Sequence, residues 1–160
     1  MAEISIEVGV TEFGRAIREI EGLKGDVLRG AKEAIQAAAV DVRTAAIDNI
    51  NENKTIDEGL LVNSVDIRTF RRGMAAEVGS KLQYAADVEF GRDPHTPNWT
   101  QIKQWGERKK PPLSRGAIGA IYQSIKKNGT AAHPYLKPAW DKVKPGFVKE
   151  FEDAIGRRLP

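Results

Sequence analysis

Apolar positions recur at two spacings along this chain, and the switches between them predict its elements. Ile4, Ile6, Val8 and Val10 alternate with Glu3, Ser5, Glu7 and Gly9, the period-two pattern of a half-buried strand over 3–10. Phe13, Ile17 and Ile20 then share one face of a short helix over 12–21 that Thr11 can cap. The longest periodic run follows. Val27, Leu28, Ala31, Ala34, Ile35, Ala38, Ala39, Val42, Ala45, Ala46, Ile47 and Ile50 recur at three- and four-residue steps behind Asp26 as the expected cap. They predict an amphipathic helix of about 25 residues, roughly 37 Å long. Its stripe is mostly alanine, so the helix can lie close against a sheet or another helix. Leucine is too scarce at the seam for a coiled coil.

Thr55-Ile56-Asp57-Glu58-Gly59 signals a turn. Leu61 to Phe70 alternates like a strand, Arg71-Arg72-Gly73 is a short connection, Met74 to Val78 returns, and Gly79-Ser80 closes what reads as a β-hairpin. In Tyr84-Ala85-Ala86-Asp87-Val88-Glu89-Phe90 the pattern favours a short helix, with Tyr84, Val88 and Ala85 on one face and Gly91 as its stop. A strand is the alternative.

Asp93-Pro94-His95-Thr96-Pro97-Asn98 is a loop by composition. Asn98 can cap a helix carrying Trp99, Ile102 and Trp105, and Pro111-Pro112 stops it. Ser114 can cap a second helix carrying Ile118, Ile121, Tyr122 and Ile125, with Gly129 as its stop. The last segment opens with His133-Pro134-Tyr135-Leu136. Pro138 suits a first helical position, and Trp140, Val143, Phe147, Val148, Phe151, Ala154 and Ile155 mark an amphipathic helix. Pro145-Gly146 inside that pattern predicts a kink or a restart. These elements give an α+β fold: a small antiparallel sheet, made of the N-terminal strand plus the hairpin, packed against a long N-terminal helix and a C-terminal helix. We expect one domain over 1–160, with an inserted helical pair at 98–129.

The 160 residues are enough for one real core, with 41% hydrophobic and 29% charged residues and no apolar run of membrane-spanning length. Residues 1–7 lack the basic and apolar regions of a secretory signal. Cysteine is absent, which removes disulfides, thiolate metal sites and a cysteine nucleophile. The only two histidines, His95 and His133, sit in Pro-flanked loops without paired metal-ligand spacing. No nucleophile elbow accompanies Ser64 or Ser114, and Gly116-Ala117-Ile118-Gly119 lacks the Gly-Lys-Ser/Thr of a phosphate loop. Asp87 and Glu89, two residues apart, do not form a hydrolytic carboxylate pair. No catalytic residue, metal, cofactor or small-molecule substrate is expected.

The net charge of +3 is unevenly placed: residues 1–60 carry 7 Lys+Arg against 12 Asp+Glu, and residues 61–160 carry 18 against 10. Three readings stay open: a basic surface for nucleic acid, complementarity between acidic and basic faces of successive copies, and a solvated mixed surface. Arg68, Arg71 and Arg72 flank the hairpin and are candidates for contact with DNA or a neighbouring ring. Arg108, Lys109 and Lys110 follow two tryptophans, a pairing that can grip phosphate and stack bases. The reading favoured here has Trp99 and Trp105 facing the core. Glu33 and Asp41, exposed acids of the long helix, are candidates for a subunit interface.

In order and spacing, these segments resemble the neck or tail-completion proteins of long-tailed bacteriophages, also called head–tail connector or minor tail proteins. The resemblance rests on a long alanine-rich helix, then Gly59-x-Leu61-x-x-Ser64 entering a strand, then Tyr84-Ala85-x-x-Val88-Glu89-Phe90-Gly91. Pro134-Tyr135-Leu136-x-Pro138-Ala139 and a C-terminal helix complete it. The chain departs from the family pattern where Glu58 follows Asp57 and where Val62 stands in place of an arginine. The resemblance implies a structural virion protein at the head–tail interface, working in a homo-oligomeric ring without catalysis. Its implied partners are the phage connector and the tail-tube or tail-terminator proteins, with genomic DNA passing by. In that reading Tyr84, Phe90 and Tyr135 anchor the long helix to the sheet. The alternative is a non-specific nucleic-acid-binding protein that uses the basic C-terminal half.

Overall fold

The computed structural model describes residues 4–8, 25–53 and 59–156. The helix expected over 12–21 lies outside them, as do residues 55–58 of the expected turn. Among the described residues, the order is β1 (Ile4–Val8), α1 (Gly25–Glu52), α2 (Leu60–Ser64), β2 (Asp66–Phe70), β3 (Ala75–Ser80) and α3 (Ala85–Phe90). Three more helices follow: α4 (Trp99–Arg108), α5 (Arg115–Asn128) and α6 (Leu136–Gly156).

The alanine stripe becomes the spine of the molecule. Ala31, Ile35, Ala38, Ala39, Val42, Ala46 and Ile50 of α1 are all buried. Small side chains at every turn let α6 run close along α1 and let α1 lie on β3. The core between these elements takes Met74, Ala76 and Val78 from the sheet side, Tyr135 from just before α6, and Leu136, Ala139, Phe147 and Phe151 from α6. The rings of Phe147 and Phe151 stand 5.5 Å apart. α1 begins at Gly25, one residue ahead of the cap expected at Asp26.

The antiparallel sheet has the order β1-β3-β2, so the last strand lies in the middle. Ile6 and Ile67 both register with Val78, and Arg68 registers with Glu77. The sheet therefore has a face toward the helices and a polar outer face, where Arg68 pairs with Glu77 at 3.0 Å. The α+β architecture expected from the sequence is present.

The strand expected from Leu61 to Phe70 is only half a strand. Leu60–Ser64 is a turn of helix, and extended backbone starts at Val65. Gly59, at φ 73°, sends the chain into that turn, and the Asn63 amide donates to the Gly59 carbonyl at 3.0 Å. The Ser64 hydroxyl then bonds back to the Leu61 carbonyl at 2.7 Å and meets the Ser80 hydroxyl at 2.7 Å. Short alternation cannot separate these states, because Leu61 and Val65 lie four apart and share a helical face as well. Both are buried.

Two expectations about α6 are also corrected. The helix begins at Leu136, so Pro138 is its third residue, and one helix continues through Pro145 to Gly156 without a restart. Phe147 and Phe151 bury on the far side of the proline, where the helix carries on at the cost of the hydrogen bond that Pro145 cannot donate.

Candidate functional site

The Tyr84–Gly91 stretch meets the Pro134–Ala139 stretch, and the contact between them is a carboxylate clamp. α3 buries Ala85 and Glu89, four residues apart on its inner face. The Glu89 carboxylate accepts from three successive backbone amides: Tyr135 at 2.7 Å, Leu136 at 2.9 Å and Lys137 at 2.9 Å. These amides open α6 and have no partner within the helix, and a negative charge there also suits the helix dipole. The role of flanking cap therefore falls to a residue 46 positions upstream of Tyr135.

Other groups fix the same corner. The His133 amide donates to the Val88 carbonyl at 2.7 Å. From α1, the Asn49 amide group donates to the Tyr135 carbonyl at 2.9 Å and that of Asn53 to the Pro134 carbonyl at 3.1 Å. Tyr135 is fully buried, and its hydroxyl finds no hydrogen-bond partner among the described residues. Burial first, then the Glu89 charge and Tyr84, push its phenol well above the usual tyrosine range. Of the three aromatic anchors expected, only Tyr135 is in the core: Tyr84 is 41% exposed and Phe90 72% exposed. The helical turn points Ala85 and Glu89 inward, which turns Phe90 outward.

Gly91 and Gly129 close the base of the helical pair. Arg92 and Thr130 exchange two backbone hydrogen bonds, 3.0 and 2.8 Å, as an isolated antiparallel bridge. Both glycines have positive φ, 73° and 75°. A Cβ on Gly91 would stand 2.6 Å from the Thr130 carbonyl oxygen, and one on Gly129 would collide with the Arg92 carbonyl oxygen.

Beyond that base, α4 and α5 pack on each other. The expected caps are present: the Gln101 amide donates to the Asn98 side chain and the Ala117 amide to the Ser114 hydroxyl, each at 3.2 Å. Gly106 lies against Ile118, where a Cβ would come within 2.7 Å of its side chain. Trp99 meets Tyr122 edge-on at 5.4 Å, and the Lys109 ammonium sits 4.6 Å over the Trp105 ring. No residue of the pair joins the main core cluster, so the tryptophans belong to this local packing and not to the core as expected. Residues 98–129 carry 7 Lys+Arg against 1 Asp+Glu, while the rest of the chain carries 18 against 21. The charge asymmetry is thus a basic helical pair on a slightly acidic body.

The candidate DNA contacts divide. Arg68 is engaged with Glu77 on the sheet. Arg71 and Arg72 form the β2–β3 turn, both at left-handed φ, 51° and 55°, and line a concavity with Lys32 and Leu28 of α1. Glu33 and Asp41 are both exposed on α1. Asp41 lines a groove between α1 and α6 with Asp48 and Glu150, and Glu33 lines the adjoining concavity with Glu150 and Asp153.

Among the described residues no group of acidic or histidine side chains is arranged to hold a metal ion. No described helix is long and apolar enough to cross a membrane. The pattern of small and apolar residues could not announce what Glu89, Asn49 and Asn53 do, since each acts on a carbonyl or amide far away in sequence. The one local signal was a glutamate on the alanine face of a short helix.

Residues 14–91 match the family model described as "Bacteriophage HK97-gp10, putative tail-component". The matched stretch takes in α1, α2, β2, β3 and α3 and ends at Gly91, where the base of the helical pair begins. No curated protein and no solved structure is similar enough to this chain to match.

Proposed function

We propose, from the match of residues 14–91 to the HK97-gp10-like family of phage tail components, that this protein joins head to tail as one subunit of an oligomeric ring. The match supports a tail component of the virion, and head–tail joining is the more specific role proposed here. The observation that carries it is the clamp. The motif Tyr84 to Gly91, inside the matched region, uses its one buried carboxylate to cap α6 instead of presenting it to a substrate. In this reading the subunit works through fixed surfaces. Its partners are further copies of itself, the connector, and tail-tube or tail-terminator proteins.

Electron microscopy of lysates from the parent phage lacking this gene tests the role. DNA-filled heads beside separate tails are the expected outcome, and normally joined particles overturn it.

A second reading, non-specific contact with the passing genome, rests on the cluster of Lys32, Arg71 and Arg72. It predicts duplex DNA binding that weakens steeply with salt and is reduced by neutralising Arg71 and Arg72. Binding at low salt that these substitutions leave unchanged counts against it.

A further inference from the structure

The helical pair and the α1–α6 groove have opposite charge and belong to one chain. Two concavities that share Glu150 lie side by side between α1 and α6, and their α1 residues, Gly30 to Asp48, cover about 27 Å at the rise of a helix. Ala38, Ala45, Val143 and Phe147 supply the groove's apolar lining. Asp41, Asp48 and Glu150 supply its negative charge beside Lys142, and Glu33, paired with Arg29 at 3.9 Å, and Asp153 lie toward its end. Asp41, Asp48 and Glu150 form no ion pair among the described residues. Val40 on the neighbouring surface of α1 is 48% exposed.

The pair projects from the Arg92–Thr130 bridge, so the turn between α4 and α5 is its far end. Arg108, Lys109, Lys110 and Arg115 all lie at that turn, next to Trp105. The tip does not line the groove of its own chain.

We infer that the basic tip of the helical pair docks into the acidic α1–α6 groove of a second copy. Charge complementarity selects the occupant, because a groove lined by the carboxylates of Asp41, Asp48 and Glu150 repels phosphate but attracts the tip. Two different surfaces meet, so the contact is heterologous and propagates from copy to copy until a rotation closes it. The inference deepens the ring reading and rests on it, and it names the two faces.

The test uses the full chain with two charge reversals, Lys110→Glu with Arg115→Glu at the tip and Asp41→Lys with Asp48→Lys in the groove. Sedimentation at low and high salt reads self-association. The parent protein is expected to associate in a salt-sensitive way. Each variant alone is expected to lose about tenfold or more in association constant, with unchanged helix content by circular dichroism. An equimolar mixture of the two is expected to associate again, because the unaltered tip of the groove variant then meets the unaltered groove of the tip variant. Three outcomes overturn the inference: a parent that stays monomeric at low salt, variants that associate like the parent, or a mixture that stays dissociated. A tip variant that loses DNA binding while still self-associating overturns it in favour of nucleic acid. The ring reading is judged separately by the joined-particle phenotype, so an interface elsewhere sinks the inference without sinking that reading.

Discussion

The carboxylate of Glu89 lies 2.7 Å from the backbone amide of Tyr135, which it caps across 46 residues of sequence. That contact makes α3 and the start of α6 one structural unit, and it explains why a charged residue is only 3% exposed on an alanine face. A buried charge is tolerated where several donors replace water, and three amides do so here.

Glu89→Ala is therefore expected to destabilise the fold by about 3 kcal/mol, since it leaves three amides without their acceptor. Glu89→Gln keeps one acceptor oxygen and is expected to cost less, about 1–2 kcal/mol. Urea denaturation measures both. A loss below half a kcal/mol in the alanine variant would remove the clamp from the account.

Tyr135→Phe is expected to be neutral or stabilising by up to about 1 kcal/mol, because it deletes a buried hydroxyl that has no partner among the described residues. The pH dependence has a definite sign. The folded phenol is raised above its unfolded value of about 10, so its contribution is fully present below that pH and is lost as pH rises beyond it. The phenylalanine variant is expected to lose less stability than the parent above pH ~10. Thermal melts across that range decide it, and identical alkaline loss in both proteins counts against the assignment.

Gly91→Ala and Gly129→Ala are each expected to open the base of the helical pair. Each adds a Cβ against backbone and forces an L-residue into left-handed φ, a penalty of about 1 kcal/mol from the conformation alone. The body can survive, because the core cluster contains none of the pair. Limited proteolysis is expected to cut faster between residues 92 and 130 with the body retained, and parent-like resistance would contradict a tight base.

Arg72→Gly is expected to stabilise the β2–β3 turn by about 0.5–1 kcal/mol, since arginine at φ 55° carries a left-handed penalty that glycine does not. If Arg72 also holds DNA or a neighbour, the same variant becomes more stable and less competent in assembly. Paired measurement of melting temperature and particle yield separates the two effects, and a lower melting temperature refutes the strain.

What the sequence by itself determined is local. The period of the α1 stripe, the caps at Asn98 and Ser114 and the stops at Gly91 and Gly129 depend on residues within a turn of each other, and each is found where its pattern lies. The tertiary structure decided what depends on distance. Leu60–Ser64 is helical because Gly59 turns the chain there and both Leu61 and Val65 bury against neighbours that the segment cannot specify. Phe90 is outside because Glu89 must face the start of α6, and a helix cannot turn both residues to the same side. The separation of a basic pair from an acidic groove likewise emerges only in space, since the groove is built from helices about a hundred residues apart in a chain of 160. Patterns of apolar spacing record which face of an element is covered. They do not record what covers it, because a buried charge is stabilised by partners that only the folded chain brings within hydrogen-bonding distance.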